Sequence, residues 1–296
     1  MAPRVIVVAK RTAYRRFVEE ENDPRARRLL RRRDPSVQSW RDSHRAHMKT
    51  LETVRRTLDR LGARAVLVQR AHAEFDTSDV RLVVLVGGDG ILLVVSYNVG
   101  QVPILGVNSA PHHSVGFFCA AREHSVHRML ADALEDRLHS VRLTRMAVAV
   151  NGRIRSRRVL NEALFCHASP AATSRYILSY GRVREEQRTS GFWIGPPAGS
   201  TAAQRSAGGR VLPLSSARLQ LVVREPYAAF NGRDYQLLRV VVEPKKRLLV
   251  KSKMQDGCLF LDGPYRQVAV RLGDEVAFYA SEEPLQVLGL SAKRGA

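Results

Sequence analysis

Four short segments carry residue types that could do chemistry. In the first, the strand-like run Arg81 to Val86 feeds Gly87-Gly88-Asp89-Gly90, and Ile91-Leu92-Leu93-Val94-Val95 follows as a run able to start a helix. Glycines at the carboxyl end of a parallel strand bring bare backbone to the edge where open α/β sheets bind ligands. Their N–H groups, with those of the following helix N-terminus, make a cradle for phosphate. An acid inside an anion cradle is costly unless it has a task. Asp89 could accept the proton of an attacking hydroxyl, or hold the Mg²⁺ that shields phosphates. The bland alternative is a tight turn in which aspartate tolerates an unusual backbone conformation.

The second segment, Gly106 to Phe118, opens Gly106-Val107-Asn108-Ser109-Ala110-Pro111-His112-His113 and is a strand ending in a polar turn. It would place Asn108 beside the glycine loop, with its amide available to ribose or phosphate. His112 and His113 are adjacent and point in different directions, and His124-x-x-His127 lacks a carboxylate or cysteine at ligand spacing, so no metal site is expected from the histidines. The third segment is Asn161-Glu162, after Val159-Leu160. The fourth is the Gly/Pro-containing stretch Gly191 to Ala203, which includes Gly199-Ser200-Thr201-Ala202 and runs on to Ser206-Ala207-Gly208-Gly209. Its small hydroxyl residues suit close contact with a polar ligand. Ser200 as a hydrolase nucleophile is the competing idea, but its flanks do not form G-x-S-x-G and no His/Asp pair declares itself.

The elements that must position these segments are visible as periodicity. Val5 to Val8 is a β-branched run, Ser43 to Leu61 carries Met48, Leu51, Val54, Leu58 and Leu61 at helical spacing, and Ala65 to Val68 is strand-like. Pro103 to Val107 reads as a buried strand and Ser125 to Leu138 as a helix. Alternation of this kind predicts an α/β domain with an open, mostly parallel sheet over 1–140. From Val141 onward, alternating runs such as Arg145 to Val150, Tyr176 to Tyr180, Leu219 to Val223, Leu237 to Val242 and Gln267 to Leu272 are separated by Gly, Pro, Asn and Asp turns. They predict an all-β, sandwich-like domain over 141–280. Residues 281–296 are expected to be a tail returning to the first domain.

Composition sets the limits. Across 296 residues, 45% hydrophobic and 26% charged side chains exclude a wholly disordered chain. Forty-eight basic against 28 acidic residues leave a net charge of +20, and 41 of the bases are arginine, whose planar fork pairs with phosphate. An anionic partner is therefore expected, although arginine-rich coding in a GC-rich genome would give the same count. The densest cluster, Arg25 to Arg33, reads as a solvated helix face or as a phosphate or nucleic-acid contact. Cys119, Cys166 and Cys258 lie far apart, which suggests neither a disulfide framework nor a zinc site and fits a reducing cytoplasm. The apolar runs are strand-sized, short of the roughly 20 residues of a membrane helix. No signal-type leader is evident.

Taken in order, the segments resemble the NAD kinase family from about residue 5 to about 280. The matching elements are Gly87 to Gly90, Gly106-Val107-Asn108, Asn161-Glu162, Gly199 to Ala202, Ser206 to Gly209 and the late turn Asp262-Gly263. The chain is similar to the divergent branch that includes the animal mitochondrial NAD kinase through Val7 to Tyr14, His44-Arg45-Ala46-His47, Asn108-x-x-Pro111-x-x-Ser114-x-Gly116, Ser174-Arg175, Arg188 to Gly191 and Arg224-Glu225-Pro226. Its compact length suits a bacterial member.

The resemblance implies transfer of the γ-phosphoryl of ATP to the 2′-hydroxyl of the adenosine ribose of NAD or NADH, with Mg²⁺. It implies Asp89 as general base; Gly87, Gly88, Gly90 and Asn108 at the phosphates; and Asn161, Glu162, Ser190, Ser200, Thr201, Ala202 and Ser206 at NAD. A homodimer or homotetramer follows from the same resemblance. Three departures stand out: Ile91 follows the glycine loop where the family has Thr or Ser, Ser190 replaces an acid, and Ala203 replaces a stacking tyrosine. Polyphosphate is an alternative donor for so arginine-rich a chain. A lipid or sphingoid-base kinase shares the glycine loop but not the Asn-Glu pair or the Gly199 turn. A nucleic-acid-binding protein would account for the charge, but no recognition helix, stacking platform or RNP-like motif accompanies it.

Overall fold

The computed structural model describes residues 2–69, 75–227 and 235–290. The chain divides after Val141 into two compact units and returns to the first at Gln286.

In the first unit the β-branched runs form strands β1 (Arg4–Ala9), β2 (Arg64–Val68), β3 (Leu82–Gly87), β4 (Ile104–Asn108), β5 (Ala121–Arg122) and β6 (Ser140–Leu143). The connections supply α1 (Pro24–Arg31), α2 (Trp40–Arg60), α3 (Asp89–Val95) and α4 (Val126–Leu134). Strands β1 to β5 pair in parallel. All of β3 and β4 is buried, as expected of parallel strands covered on both faces. Helix α2 turns His47, Thr50, Leu51, Val54, Thr57 and Leu58 inward, the 3.6-residue stripe of an amphipathic helix. Helix α4 stops before the predicted Leu138 because Asp136 takes a left-handed conformation, φ +57°. Helix α1 is capped by the Asp23 carboxylate, which accepts from the Arg25 and Ala26 amides, and Pro24 occupies its first turn. It buries only Ala26 and Leu30, so Arg25, Arg27, Arg28, Arg31, Arg32 and Arg33 face outward.

The second unit contains β7 (Met146–Val150), β8 (Arg153–Val159), β9 (Ala163–His167), β10 (Ser174–Tyr180), β11 (Val183–Thr189), β12 (Phe192–Gly195), α5 (Ala203–Ser206), β13 (Leu219–Val223), β14 (Arg239–Val242), β15 (Leu248–Ser252), β16 (Gly257–Leu261), β17 (Arg266–Val270) and β18 (Glu275–Ala280). They form two antiparallel six-stranded sheets, ordered β11-β10-β15-β18-β7-β8 and β14-β13-β12-β9-β16-β17. Alternate residues of both sheets enter one apolar core, in which the rings of Phe165, Tyr176, Phe192 and Phe278 lie in contact with centroids 5.1–5.9 Å apart. The chain then returns as β19 (Leu285–Leu288) beside β4, giving the first sheet the order β2-β1-β3-β4-β19-β6 with β5 also on β4. Among the described residues no helix is long and apolar enough to cross a membrane.

Candidate active site

In the first unit, parallel register brings the ends of three strands to one edge. Val86 lies opposite Ala9, and Gly87 opposite Asn108. The first residues past those ends are tied across: the Lys10 amide donates to the Val86 carbonyl at 2.9 Å, and the Ser109 amide to the Gly87 carbonyl at 3.0 Å. Helix α3 starts immediately, with Gly88 as its extended cap and Asp89 as its first residue. The half-buried Asp89 carboxylate accepts one bond on each oxygen, from the Phe117 amide at 2.9 Å and the Phe118 amide at 2.8 Å. Two such charge-assisted bonds fix its orientation, and each oxygen retains a lone pair for a hydroxyl or cation.

The three glycines differ in what a side chain would meet. A Cβ at Gly87 would lie 3.0 Å from the Lys10 Cβ and 3.2 Å from the Ile91 Cγ2, and one at Gly88 would lie 2.2 Å from the Ser114 Oγ. A Cβ at Gly90 would meet nothing within 4 Å, so the protein leaves that side of the loop open. Ile91 is buried beneath the loop, where its side chain packs instead of offering a hydroxyl.

Asn108 lies beside the glycine loop, as its spacing predicts, but its amide is engaged and only 2% exposed. Its Nδ2 donates to the Ser114 carbonyl at 2.9 Å and its Oδ1 accepts from the Ala110 amide at 3.2 Å. Gly116, at φ +63°, passes so close that a Cβ there would lie 2.2 Å from the Asn108 Nδ2. Asn108 thereby shapes the 110–116 turn that delivers the Phe117 and Phe118 amides to Asp89. Behind it, the buried His47 Nδ1 lies 2.9 Å from the Ser109 Oγ. Burial foremost, and then the positive charges of Lys10, His44 and Arg15, push the His47 pKa down to about 4, so its ring is neutral at physiological pH. His112 and His113 are exposed on the same turn, and among the described residues no group of three or more His, Cys, Asp or Glu could hold a metal ion.

In the second unit, one carboxylate organises the Asn-Glu pair. Asp262, in a left-handed turn at φ +50°, accepts from the Asn161 and Glu162 amides on Oδ1 at 2.7 and 3.1 Å and from the Leu160 amide on Oδ2 at 2.9 Å. Its own amide donates to the Glu162 carbonyl at 2.9 Å. The Asn161 Nδ2 donates to the Glu162 Oε2. Glu162 is buried, and burial first and then the charge of Asp262 raise its pKa to about 7.

The Gly199 turn packs directly on this pair. A Cβ at Gly199 would lie 1.7 Å from the Asn161 carbonyl oxygen and one at Gly195 would lie 2.3 Å from it, so glycine is required for that approach. The fully buried Gln204 reaches the same oxygen at 3.5 Å and accepts from the Gln220 Nε2 at 3.1 Å. Ser200 is also fully buried: its hydroxyl donates to the Pro197 carbonyl at 2.7 Å and accepts from the Leu212 amide at 2.9 Å. Thr201 and Ala202 are half-buried at the surface of the turn, and Ser206 is exposed. Ser190 is half-buried and tied through backbone to Arg224, its amide donating to the Arg224 carbonyl at 3.1 Å. Asp262 as the clamp was not evident in the sequence beyond its Asp-Gly turn, because its three amide partners lie about a hundred residues away.

Residues 2–148 match the family model described as the ATP-NAD kinase N-terminal domain. A probable NADH kinase from Oryza sativa subsp. japonica is 32% identical over 282 residues, covering 88% of this chain and 86% of the relative. The chain belongs to the NAD kinase family. An NADH kinase from Arabidopsis thaliana is 29% identical over 283 residues, covering 86% of this chain and 87% of that one. Among solved structures, an Archaeoglobus fulgidus NAD kinase in complex with ATP superposes with a TM-score of 0.67 at 21% identity, covering 98% of this chain and 94% of its own. A yeast NADH kinase complexed with NADH gives 0.68 at 14% identity, covering 99% and 85%. These two share the fold of the present chain. As a family member the chain is an NAD kinase, an ATP-dependent phosphotransferase, and the lipid-kinase alternative suggested by the glycine loop alone gives way to this membership.

Proposed function

We propose that Asp89 is the general base that serves transfer of the γ-phosphoryl of ATP to the 2′-hydroxyl of the adenosine ribose of NAD or NADH, producing NADP or NADPH. The observation that carries this reading is the Asp89 carboxylate, held by two backbone amides at the start of α3 beside the open side of Gly90. The hydroxyl oxygen attacks Pγ, the bond from Pγ to the β,γ-bridging oxygen breaks, ADP leaves, and the hydroxyl proton passes to Asp89. A carboxylate is too weak a base to ionise a free alcohol in advance. The proton therefore moves late, as a loose transition state allows, and positioning supplies most of the rate.

Gly87, Gly88 and Gly90 bring backbone to the phosphates. Asn108 acts as a positioning residue by shaping the turn that orients Asp89. Asn161 and Glu162 hold the NAD ribose and amide groups; Ser190, Thr201, Ala202 and Ser206 line the dinucleotide, and the buried Ser200 holds the turn that presents them. A divalent cation such as Mg²⁺ fits Asp89, because magnesium typically keeps waters and binds through one or two carboxylates plus substrate phosphates. It would neutralise charge on the donor.

The Arabidopsis relative is named NADH kinase and the Oryza relative probable NADH kinase, which supports NADH as an acceptor alongside NAD. The short motifs from Val7 to Tyr14 and from His44 to His47 support the divergent branch. A cytoplasmic setting accords with three free cysteines, and a homodimer or homotetramer with the family resemblance. The test is an assay of purified protein with NAD or NADH as acceptor and ATP or polyphosphate as donor, with Mg²⁺. Formation of NADP or NADPH is expected, and failure with every combination would remove the reading.

A further inference from the structure

We propose that Lys10 is the cation that grips the donor's phosphate chain over the glycine loop. This rests on reading that loop as the phosphate site. The first residues past the ends of β1, β3 and β4 are Lys10, Gly88 and Ser109, and only Lys10 among them bears a charge. Its backbone is fixed by the bond from its amide to the Val86 carbonyl, one residue before the glycines. Its Cβ occupies the space beside Gly87, where a Cβ on residue 87 would approach to 3.0 Å. A side chain at 87 would therefore displace the root of the lysine stem, which gives Gly87 a purpose beyond backbone freedom.

The neighbouring cations are already engaged. Arg11 pairs with Glu20 and Glu21, Arg15 with Glu20, Arg16 with Glu21 and Lys49 with Glu123. Lys10 is exposed and, among the described residues, has no ion pair. Its field reaches His47, which is bonded to Ser109 at the end of β4, so the ammonium acts on the same edge as the loop. A four-carbon stem with three rotatable donors suits a phosphate chain that must shift as Pγ departs, whereas a rigid guanidinium fork suits a fixed oxygen pair.

The test compares Lys10→Met, which keeps the stem and removes the charge, and Lys10→Arg with the parent chain and with Asp89→Asn. Steady-state kinetics are measured with ATP and NAD varied separately, and inorganic tripolyphosphate and adenosine serve as inhibitors. Lys10→Met is expected to raise the KM for ATP and weaken tripolyphosphate inhibition by about 10- to 100-fold, the range of one charge-assisted hydrogen bond. The KM for NAD, inhibition by adenosine and thermal stability should stay within about twofold or a degree or two of the parent. Lys10→Arg should recover part of the ATP affinity.

An unchanged KM for ATP in Lys10→Met, or an equal rise in the KM for NAD, overturns the proposal. If Asp89→Asn loses turnover while Lys10→Met is silent, the lysine reading alone falls. Full turnover by Asp89→Asn removes the loop as the reaction site and the lysine proposal with it.

Discussion

Glu162 offers a sharp quantitative test, because its environment disfavours the charge it would carry. Its pKa rises from the ordinary 4.5 to about 7, through burial first and the Asp262 carboxylate second. Between those values the folded chain retains a proton that the unfolded chain has released. Unfolding then releases a proton, so stability falls as pH increases through that window. At about 1.36 kcal/mol per pH unit, the interval corresponds to about 3 kcal/mol, fully lost above pH 7. Glutamine at 162 is nearly isosteric and can still accept from the Asn161 amide, but it does not titrate. The stability of Glu162→Gln relative to the parent should therefore improve by about 3 kcal/mol between pH 4.5 and pH 8. The measurement is urea unfolding across that range, followed by Trp193 of β12 in a Trp40→Phe background so that the second unit alone reports. Parallel pH profiles for the two chains would refute the reasoning, since they would mean that Glu162 is not strained by ionisation. Asp262→Asn should remove the second cause and lower the Glu162 pKa, visible as a shift of the titration window toward lower pH.

The other expectations concern the loop and its supports. Asp89→Asn should lower kcat by about 10² to 10⁴-fold; its amide NH₂ would also face one of the Phe117 and Phe118 donors, so a stability loss of about 1–3 kcal/mol should appear in the same unfolding assay. Gly90→Ala should leave the fold intact or stabilise helix α3 by up to about 1 kcal/mol while raising the KM for ATP, because its Cβ would point into the open space where the donor's phosphates are proposed to lie. Gly199→Ala should cost about 3 kcal/mol or more in thermal or urea unfolding, since its Cβ would meet the backbone oxygen of Asn161 at 1.7 Å. For His47, whose pKa is depressed from 6.5 to about 4, the stabilisation is fully present above pH 6.5 and lost as pH falls through about 4. His47→Gln should flatten the acid limb of unfolding, monitored by Trp40 in a Trp193→Phe background.

The α/β and all-β halves were legible because their hydrophobic periods differ, and most expected strands differ from those observed by one or two residues. The glycine loop is legible as bare backbone and an acid at the end of a buried strand, and the Asn-Glu pair through its place in the order of the family's motifs. What stayed hidden were long-range partners. Asp262 looks like an ordinary turn residue until its three amide donors are seen. The sequence offers the Asn108 amide and the Ser200 hydroxyl to a polar ligand, yet both side chains are buried and bonded within their own turns. Position 91 illustrates the same limit: sequence shows the hydroxyl missing there, and only the structure shows the Ile91 side chain packed under Gly87.

The late return of the chain has a consequence for biosynthesis. Strand β4, which carries Asn108, gains β19 as a neighbour only when Leu285–Leu288 has been made, and Leu285, Val287 and Leu288 are buried there. Until then the Ile104 end of β4, beyond the stretch that β5 covers at Val107 and Asn108, is an unpaired edge of apolar parallel strand, a template for unwanted pairing with other chains. A chain cut short before that strand would therefore lack a buried member of the first sheet and keep an edge open to unwanted pairing.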